Sequence, residues 1–435
     1  MKRIGIISLG CDKNRTDTEK MMGVLKDDYV FTQDPVDADV IVINTCAFIK
    51  SAKEESIEEI LSALELKKLY PEKKIVVTGC LPQRYAGELT KELKDVDVFL
   101  GVSDYSSVAD AIKKAFGGEK SVSVTAPKNE NLVKRVRTTD GYAYLKIADG
   151  CSNHCTFCAI PSIRGAYRSV PIDSLIEEVK GMGEIKELIL VAQDTLKYGE
   201  DLNPKKNILD LIRALSSLRE VGGIRIMYCY PENITDEFIH ELSVNPKLIR
   251  YLDIPFQHAD DGILKLMGRK STGNDYAELV KKLRERVPGI AIRSTFMTGF
   301  PGEDEKAFGN LLEFIKTEEL DNVGFFKYSE EEGTPAVKLP NKVLESVKTK
   351  RLKKLYSAQK KVAKKRAKKI VGSTLFVLAE GFDEERLAYF GRAYFSAPDI
   401  DGKIYFLSEN EVPFGTHVRV KITDAEDYDF YGERV

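Results

Sequence analysis

Hydrophobic positions fall into three successive regimes along the chain, each predicting its own architecture. Up to residue 120, short apolar runs at 4–7, 40–43 and 75–77 alternate with helical stretches at 51–69 and 82–93. The runs recur about every 35 residues, a spacing that suits parallel strands joined by crossover helices. A polar stretch at 117–139, ending in Lys134, Arg135 and Arg137, has no apolar periodicity and reads as a linker. Beyond it, six strand candidates (142–147, 187–191, 224–228, 251–254, 291–296 and 323–326) are each followed by helical spacing. Six strand–helix units in about 190 residues predict an open or partial barrel rather than an eightfold one. Residues 343–370 read as one helix. After Gly372, short alternating segments at 374–378, 387–394, 402–406 and 417–422 predict a small antiparallel barrel. The expected fold is therefore α/β, with a parallel α/β domain at 1–120, a partial (β/α) barrel at 139–340 and a β-barrel at 371–435.

Composition adds a location and an asymmetry. The 435 residues are 43% apolar and 31% charged, as in an ordinary globular protein. No apolar run approaches a membrane span and the first residues lead straight into a strand, so a cytoplasmic protein is expected. In that reducing compartment, clustered cysteines are metal ligands or redox groups more often than disulfides. The net charge of −2 conceals an uneven distribution. Residues 348–369 hold twelve Lys or Arg and no acid, whereas 371–435 hold thirteen acids against six bases, a net of −7. The basic helix could contact RNA phosphates or be a solvated face. The acidic tail suits a basic protein partner better than a polyanion.

Six of the seven cysteines form two sets of three. Cys151, Cys155 and Cys158 lie together on a loop after a strand. Cys11, Cys46 and Cys80 each end one of the three early apolar runs, so a parallel sheet would bring them to one edge, where such sheets bind ligands. Three thiolates leave one iron of a four-iron cluster open to bind and activate something. A structural zinc site would need a fourth ligand, and His154, between two cysteines, is poorly placed to be one. Two open sites in one chain suggest an enzyme that uses both. The remaining cysteine, Cys229, ends a barrel strand and reads either as packed or as lining a cavity. His258 is equally open to a structural or a functional role. Asp17, Glu19 and Arg84 stand near thiols but could be surface ion-pair partners.

The spacing of Cys151, Cys155 and Cys158 after a first barrel strand resembles the radical S-adenosylmethionine superfamily. The resemblance implies that the open iron holds S-adenosylmethionine, which an electron cleaves to a 5′-deoxyadenosyl radical. It further implies cofactor contacts from strands two, four and five, which here offer Gln193, Asp194, Gln257, His258, Arg293, Thr298, Gly299 and Phe300. The segments around Cys11 (with Lys13, Asn14, Asp17 and Glu19), Cys46 and Cys80 (with Gln83 and Arg84) resemble the amino-terminal domain of the methylthiotransferases, and the tail resembles their TRAM domain. Lys13-Asn14 and the segments 160–165, 191–199 and 253–258 are similar to the branch that modifies a ribosomal protein. Asp12, where that branch usually has proline, and Arg15-Thr16, in place of an apolar pair, depart from it.

The resemblance implies methylthiolation of the β-carbon of an aspartate in the twelfth small-subunit ribosomal protein. It also implies two 4Fe-4S clusters, one of them carrying an exogenous sulfur, and S-adenosylmethionine as both methyl donor and radical source. The implied partners are that ribosomal protein, ribosomal RNA nearby, and a flavodoxin- or ferredoxin-type electron donor, with no membrane. It assigns no proton-transfer residue. The alternatives are a tRNA adenosine methylthiotransferase and a non-catalytic metal-cluster protein that binds nucleic acid. Because both cysteine sets precede Gly372, the tail is expected to serve binding more than chemistry.

Overall fold

A computed structural model describes residues 1–129 and 134–435. The first domain is a parallel sheet of β1 (Lys2–Ser8), β2 (Tyr29–Thr32), β3 (Val40–Thr45), β4 (Lys74–Gly79), β5 (Val98–Leu100) and β6 (Ser121–Ser123), in the order β2-β1-β3-β4-β5-β6. Every residue of β3, a Val-Ile-Val-Ile run, is buried, as a strand covered by helices on both faces requires. β6 falls within the stretch expected to be a linker. Ser-Val-Ser is too short and polar to register as an apolar run, yet its backbone pairs with β5. Residues 130–133 of that stretch lie outside the described residues. Arg135, farther along it, is buried between Glu19 and Glu178.

The second sheet contains the six expected strands, with β7 (Tyr142–Lys146) at one edge. A two-stranded pair, β8 (Ala148–Asp149) and β9 (Arg168–Ser169), flanks the cysteine loop. Then come β10 (Ile185–Val191), β11 (Val221–Ile226), β12 (Leu248–Asp253), β13 (Ala291–Thr298) and β14 (Asn322–Lys327), in the parallel order β14-β13-β12-β11-β10-β7. Strand alternation sends Leu145, Leu188, Leu190, Ile224, Leu252 and Ile292 toward the covering helices. Tyr142, Tyr144, Ile189, Val191, Met227 and Tyr251 face the opposite, concave side.

The chain closes with β15 (Thr374–Asp383), β16 (Ala388–Arg392), β17 (Ile404–Leu407), β18 (His417–Glu426) and β19 (Asp429–Arg434), a closed barrel ordered β15-β16-β17-β19-β18. The sequence reading lacked β19, whose apolar residues are interrupted by Gly432. It also expected an all-antiparallel barrel, whereas β17 and β19 pair in parallel. The helix Glu345–Ile370 matches its expected span. One face buries Leu355, Gln359, Val362, Ala363 and Ala367, so only the rest of its charge is solvated.

The terminal barrel shares a core with the concave face of the second sheet: Val377, Ala393, Phe395 and Val420 join Tyr142, Tyr144 and Tyr251 in one apolar cluster. Its polar fastenings are buried too. Glu187 is gripped by Arg225 at 2.6 Å and Arg392 at 3.1 Å, and Arg392 also holds Glu380 at 2.7 Å. Asp401 accepts a hydrogen bond from the Tyr251 hydroxyl at 2.7 Å and pairs with Arg293, which also binds Asp253 at 2.9 Å. The tail thereby completes the concave side of the sheet. It also takes Glu380 and Asp401 out of the tail's surface charge.

Burial alone would raise the Glu187 carboxyl, but Arg225 and Arg392 outweigh it and hold it down to about 2, against an ordinary 4.5. The stability this contributes, about 3 kcal/mol, is complete above the ordinary value and lost as the pH falls toward 2. Glu187→Gln leaves two buried guanidiniums short of a partner, at a cost of about 3–5 kcal/mol. Calorimetry should therefore show a markedly lower Tm for the variant at pH 7, with the gap to the parent protein narrowing below pH 5.

Candidate functional site

The adjacent parallel strands β1, β3 and β4 end at one edge and deliver the first three thiols there. Ser8 aligns with Asn44, and Thr45 with Gly79, so Cys46 and Cys80 emerge at the same level. Two glycines permit the approach. Gly10 has φ +88 and a Cβ there would lie 2.7 Å from Cys46 Cβ; Gly79 has φ +96 and would collide with Asn44 Oδ1 at 2.4 Å. Asn14 ties the strand ends together, its Nδ2 donating to the Leu9 and Thr45 carbonyls at 2.9 Å each. The Ser56 hydroxyl binds both the N–H and the carbonyl of Cys46 at 3.0 Å. Burial, followed by Cys80, pushes the Cys46 thiol up to about 12. Burial also raises Cys80, against the pull of Arg164.

The second set lies on the loop between β8 and β9. Thr156 N–H donates to Met267 O and Ala336 N–H to Thr156 O, anchoring the loop at both sides. Phe157 packs edge-on against Phe300 at 6.4 Å. Arg269 stacks 3.9 Å from the Tyr230 ring centre, and its Nη1 lies 3.9 Å from Cys155 Sγ. Burial lifts Cys158 to about 12. Burial favours the protonated form of Cys46, Cys80, Cys151 and Cys158, and a bound metal would have to displace those protons. Among the described residues no group of His, Cys, Asp or Glu is drawn together as a shared ligand set for one ion. By donor chemistry alone, three thiols without a fourth ligand could hold an open cubane, whereas a closed zinc site takes four.

Between the two sets lies a buried quartet of charges. Arg164, 2% exposed, binds Asp17 at 3.1 Å and Asp149 at 2.9 Å. Lys146 binds the same two carboxylates, Asp149 at 3.1 Å. Arg164 Nη2 also donates to Asn14 Oδ1 at 2.7 Å and lies 3.7 Å from Cys80 Sγ. On the other side, Asp149 accepts from Gln193 Nε2 at 3.1 Å and stands two residues before Cys151. Burial opposes ionisation of Asp149, yet Arg164 and Lys146 leave its carboxyl well below the usual range. Lys146 and Asp149 carried no functional expectation. Their signal was a charge at the very end of an apolar strand.

The eight residues expected to contact the cofactor separate into groups. Gln193 and Asp194 adjoin the cysteine loop, and Asn153 and Asn233 both donate to Asp194 Oδ2 at 2.9 Å. Gln193 Oε1 and Asp194 Oδ1 are buried with no partner, a cost that a polar ligand would relieve. The structure commits His258, Thr298 and Gly299 to Glu303, which bonds them at 3.2, 2.9 and 2.9 Å and is itself held by Arg351 at 2.8 Å. Phe300 is core packing behind Phe157. Gln257 adopts φ 73 and bridges to β13 through its backbone. Arg293 is occupied by Asp253 and Asp401. Cys229 is buried among apolar side chains. Asp17, Glu19 and Arg84 are not surface partners. They form buried pairs with Arg164, Arg135 and Glu331, respectively.

One more contact spans the two domains. Tyr228, just beyond β11, has φ 59, and its hydroxyl donates to Asp12 Oδ1 at 3.3 Å. The Lys13 ammonium sits 3.3 Å from the centre of its ring and 3.0 Å from Asp12 Oδ1.

Comparison with known proteins places all three parts. Residues 3–101 match Uncharacterized protein family UPF0004, 145–315 the Radical SAM superfamily, and 371–435 the TRAM domain. The ribosomal protein uS12 methylthiotransferase RimO of Acetivibrio thermocellus is 44% identical, over 99% of this chain and 98% of its own length. The protein of the same name from Lachnoclostridium phytofermentans is 45% identical, over 99% of both. Among solved structures, the radical S-adenosylmethionine methyltransferase TsrM from Kitasatospora setae, with cobalamin and a 4Fe-4S cluster bound, aligns with a TM-score of 0.55 at 15% identity over 77% of each chain, a likeness of fold.

Replacing Arg164 by Met leaves two buried carboxylates to share Lys146, at a cost of about 3–5 kcal/mol. Arg164→Lys should restore little, because one ammonium cannot reproduce the forked contacts to Asp17, Asp149 and Asn14. Thermal unfolding of both variants checks this, with a Tm well below the parent expected for each.

Proposed function

The chain belongs to the RimO family of radical S-adenosylmethionine methylthiotransferases, and from that membership we propose that it attaches a methylthio group to the β-carbon of an aspartate in ribosomal protein uS12. What supports this reading is that Cys11, Cys46 and Cys80 follow adjacent strands at one sheet edge, and that Arg164 and Asp149 link that edge to the loop of Cys151, Cys155 and Cys158. In this reading, residues 1–120 hold a sulfur-bearing cluster through Cys11, Cys46 and Cys80, and residues 139–340 hold the second cluster through Cys151, Cys155 and Cys158. When bound, the clusters and S-adenosylmethionine supply the electron, the methyl group and the hydrogen-abstracting radical.

The protein's own part is to position and to exclude water. Gln193 Oε1 and Asp194 Oδ1 offer unpaired acceptors beside the cysteine loop for the donor groups of S-adenosylmethionine. Asn153 and Asn233 hold Asp194 in that orientation. The quartet of Asp17, Lys146, Asp149 and Arg164 fixes one thiol set against the other, and would so hold the two bound groups in a constant relation across one substrate side chain. Such fixed geometry is worth several kcal/mol of barrier, since a carbon radical must be trapped before it is quenched. Among the described residues no helix is long and apolar enough to cross a membrane. A ribosomal substrate places the enzyme in the cytoplasm, beside ribosomal RNA, with an external flavodoxin- or ferredoxin-type reductant.

The two thiol sets should be separable. Replacing Cys151, Cys155 and Cys158 by Ala should abolish 5′-deoxyadenosine formation and lower the iron content from about eight to about four per chain. Replacing Cys11, Cys46 and Cys80 should lower iron equally and eliminate methylthio transfer while 5′-deoxyadenosine still forms. Product is read by mass spectrometry of uS12 and of tRNA. A modified tRNA adenosine with unmodified uS12 would transfer the assignment to the tRNA branch, and about one zinc per chain in place of iron would end the enzymatic reading.

A further inference from the structure

We infer that Lys13 is the cationic contact for the side-chain carboxylate of the substrate. This rests on the reading of an aspartate as the modified residue. An aspartate modified at its β-carbon carries a negative charge one bond from the reacting atom. A site that takes this side chain out of water must offer a cation with hydrogen-bonding capacity to spare.

The cations at the junction of the two thiol sets differ sharply in what they have left. Lys146 and Arg164 are each shared between Asp17 and Asp149. Arg293 is divided between Asp253 and Asp401. Arg269 is taken by the Pro255 carbonyl and the Tyr230 ring. Lys197 ends the short turn that follows Asp194, next to the second thiol set in the chain fold. Lys13 is different. Two residues from Cys11 and only 7% exposed, it gives one hydrogen bond, to the carboxylate of its chain neighbour Asp12. An ammonium has three N–H groups, and here the ring face of Tyr228 supports the charge without accepting a conventional hydrogen bond.

The support for that ammonium is itself built at a cost. Tyr228 holds φ 59, a left-handed conformation that a bulky residue rarely adopts. It is fixed there by its N–H to Asp253 Oδ2 at 3.2 Å and its hydroxyl to Asp12 Oδ1 at 3.3 Å. The strain turns a ring from the end of a barrel strand under a lysine of the other domain, beside Cys11. A carboxylate held by Lys13 would fix the rotation about the substrate's Cα–Cβ and Cβ–Cγ bonds, presenting its β-carbon between the two thiol sets.

The test is a binding cycle with the anaerobically reconstituted holoenzyme and whole uS12, carrying either its target aspartate or asparagine there, a neutral isostere. Asparagine should weaken binding to the parent enzyme by about ten- to a hundredfold, the worth of a hydrogen bond to a charged group. Lys13→Met should weaken binding of the aspartate form by a similar factor, and the two changes together should cost no more than either alone. Lys13→Arg should recover part of the loss, and it serves in the same cycle should the Met variant fail to retain iron. If Lys13→Met weakened both forms of uS12 equally, or if the two losses multiplied, Lys13 would be a domain latch and the assignment overturned, with aspartate modification by the parent enzyme still standing. Absence of any modified aspartate in uS12 treated with the parent enzyme would overturn both readings together.

Discussion

Two acids and two bases, Asp17, Asp149, Lys146 and Arg164, are buried together where the first sheet meets the second, and the rest of the site depends on their staying paired. Each charge would be expensive alone in that setting. As a set they sum to zero, and every carboxylate oxygen has a cationic neighbour. Asp17 rides on the helix that starts at Cys11, Lys146 ends β7, Asp149 leads into the cysteine loop, and Arg164 leaves it. No member can move without stranding another, so the separation of the two thiol sets is set by salt-bridge lengths rather than by a flexible linker. Arg164 extends this coupling to Asn14 and to the edge of Cys80. A buried ion network of this kind is poor value for stability alone. Its structural effect is to hold the first domain and the cysteine loop in register.

The terminal barrel has a similar logic at the opposite end of the second sheet. A half-open sheet of six strands leaves the lower part of its concave face uncovered. The tail supplies aromatic and aliphatic cover there and joins it through Glu187, Arg225, Arg392, Asp401 and Arg293. The charge count of the tail overstates what a partner would meet, since Asp401 answers Arg293 of the sheet, Glu380 answers Arg392 within the barrel and Asp427 answers Lys360 of the long helix. That helix is likewise not a free cationic rod: Arg351 reaches Glu303, Lys365 reaches Glu319, and Arg366 reaches Asp321. Opposite charges separated in sequence are folded against each other.

Glu303 shows how residues at strand ends are tied into the frame. It gathers His258, Thr298, the Gly299 amide and Arg351, and so ties the ends of β12 and β13 to the long helix. Gln193 and Asp194 keep buried oxygens with no partner, whereas His258 and Thr298 are bonded to Glu303.

The sequence alone determined what local pattern can encode. Apolar runs with helical intervals specified both parallel sheets, the alternating tail specified a barrel, and Cys11, Cys46 and Cys80 at strand ends specified one shared sheet edge. A parallel sheet brings strand ends together whatever the intervening residues. Tertiary structure decided whatever depends on a partner distant in the chain. β6 exists because β5 offers it backbone hydrogen bonds, not because Ser-Val-Ser favours a strand. Arg135 and Asp17 look like surface charges until Glu19, Glu178 and Arg164 are folded against them. Lys13 reads as a motif residue until Tyr228, more than two hundred positions away in sequence, is turned beneath it. Periodicity records which face of an element is buried, but the pairing of charges and the vacancy of a hydrogen bond are properties of the assembled interior.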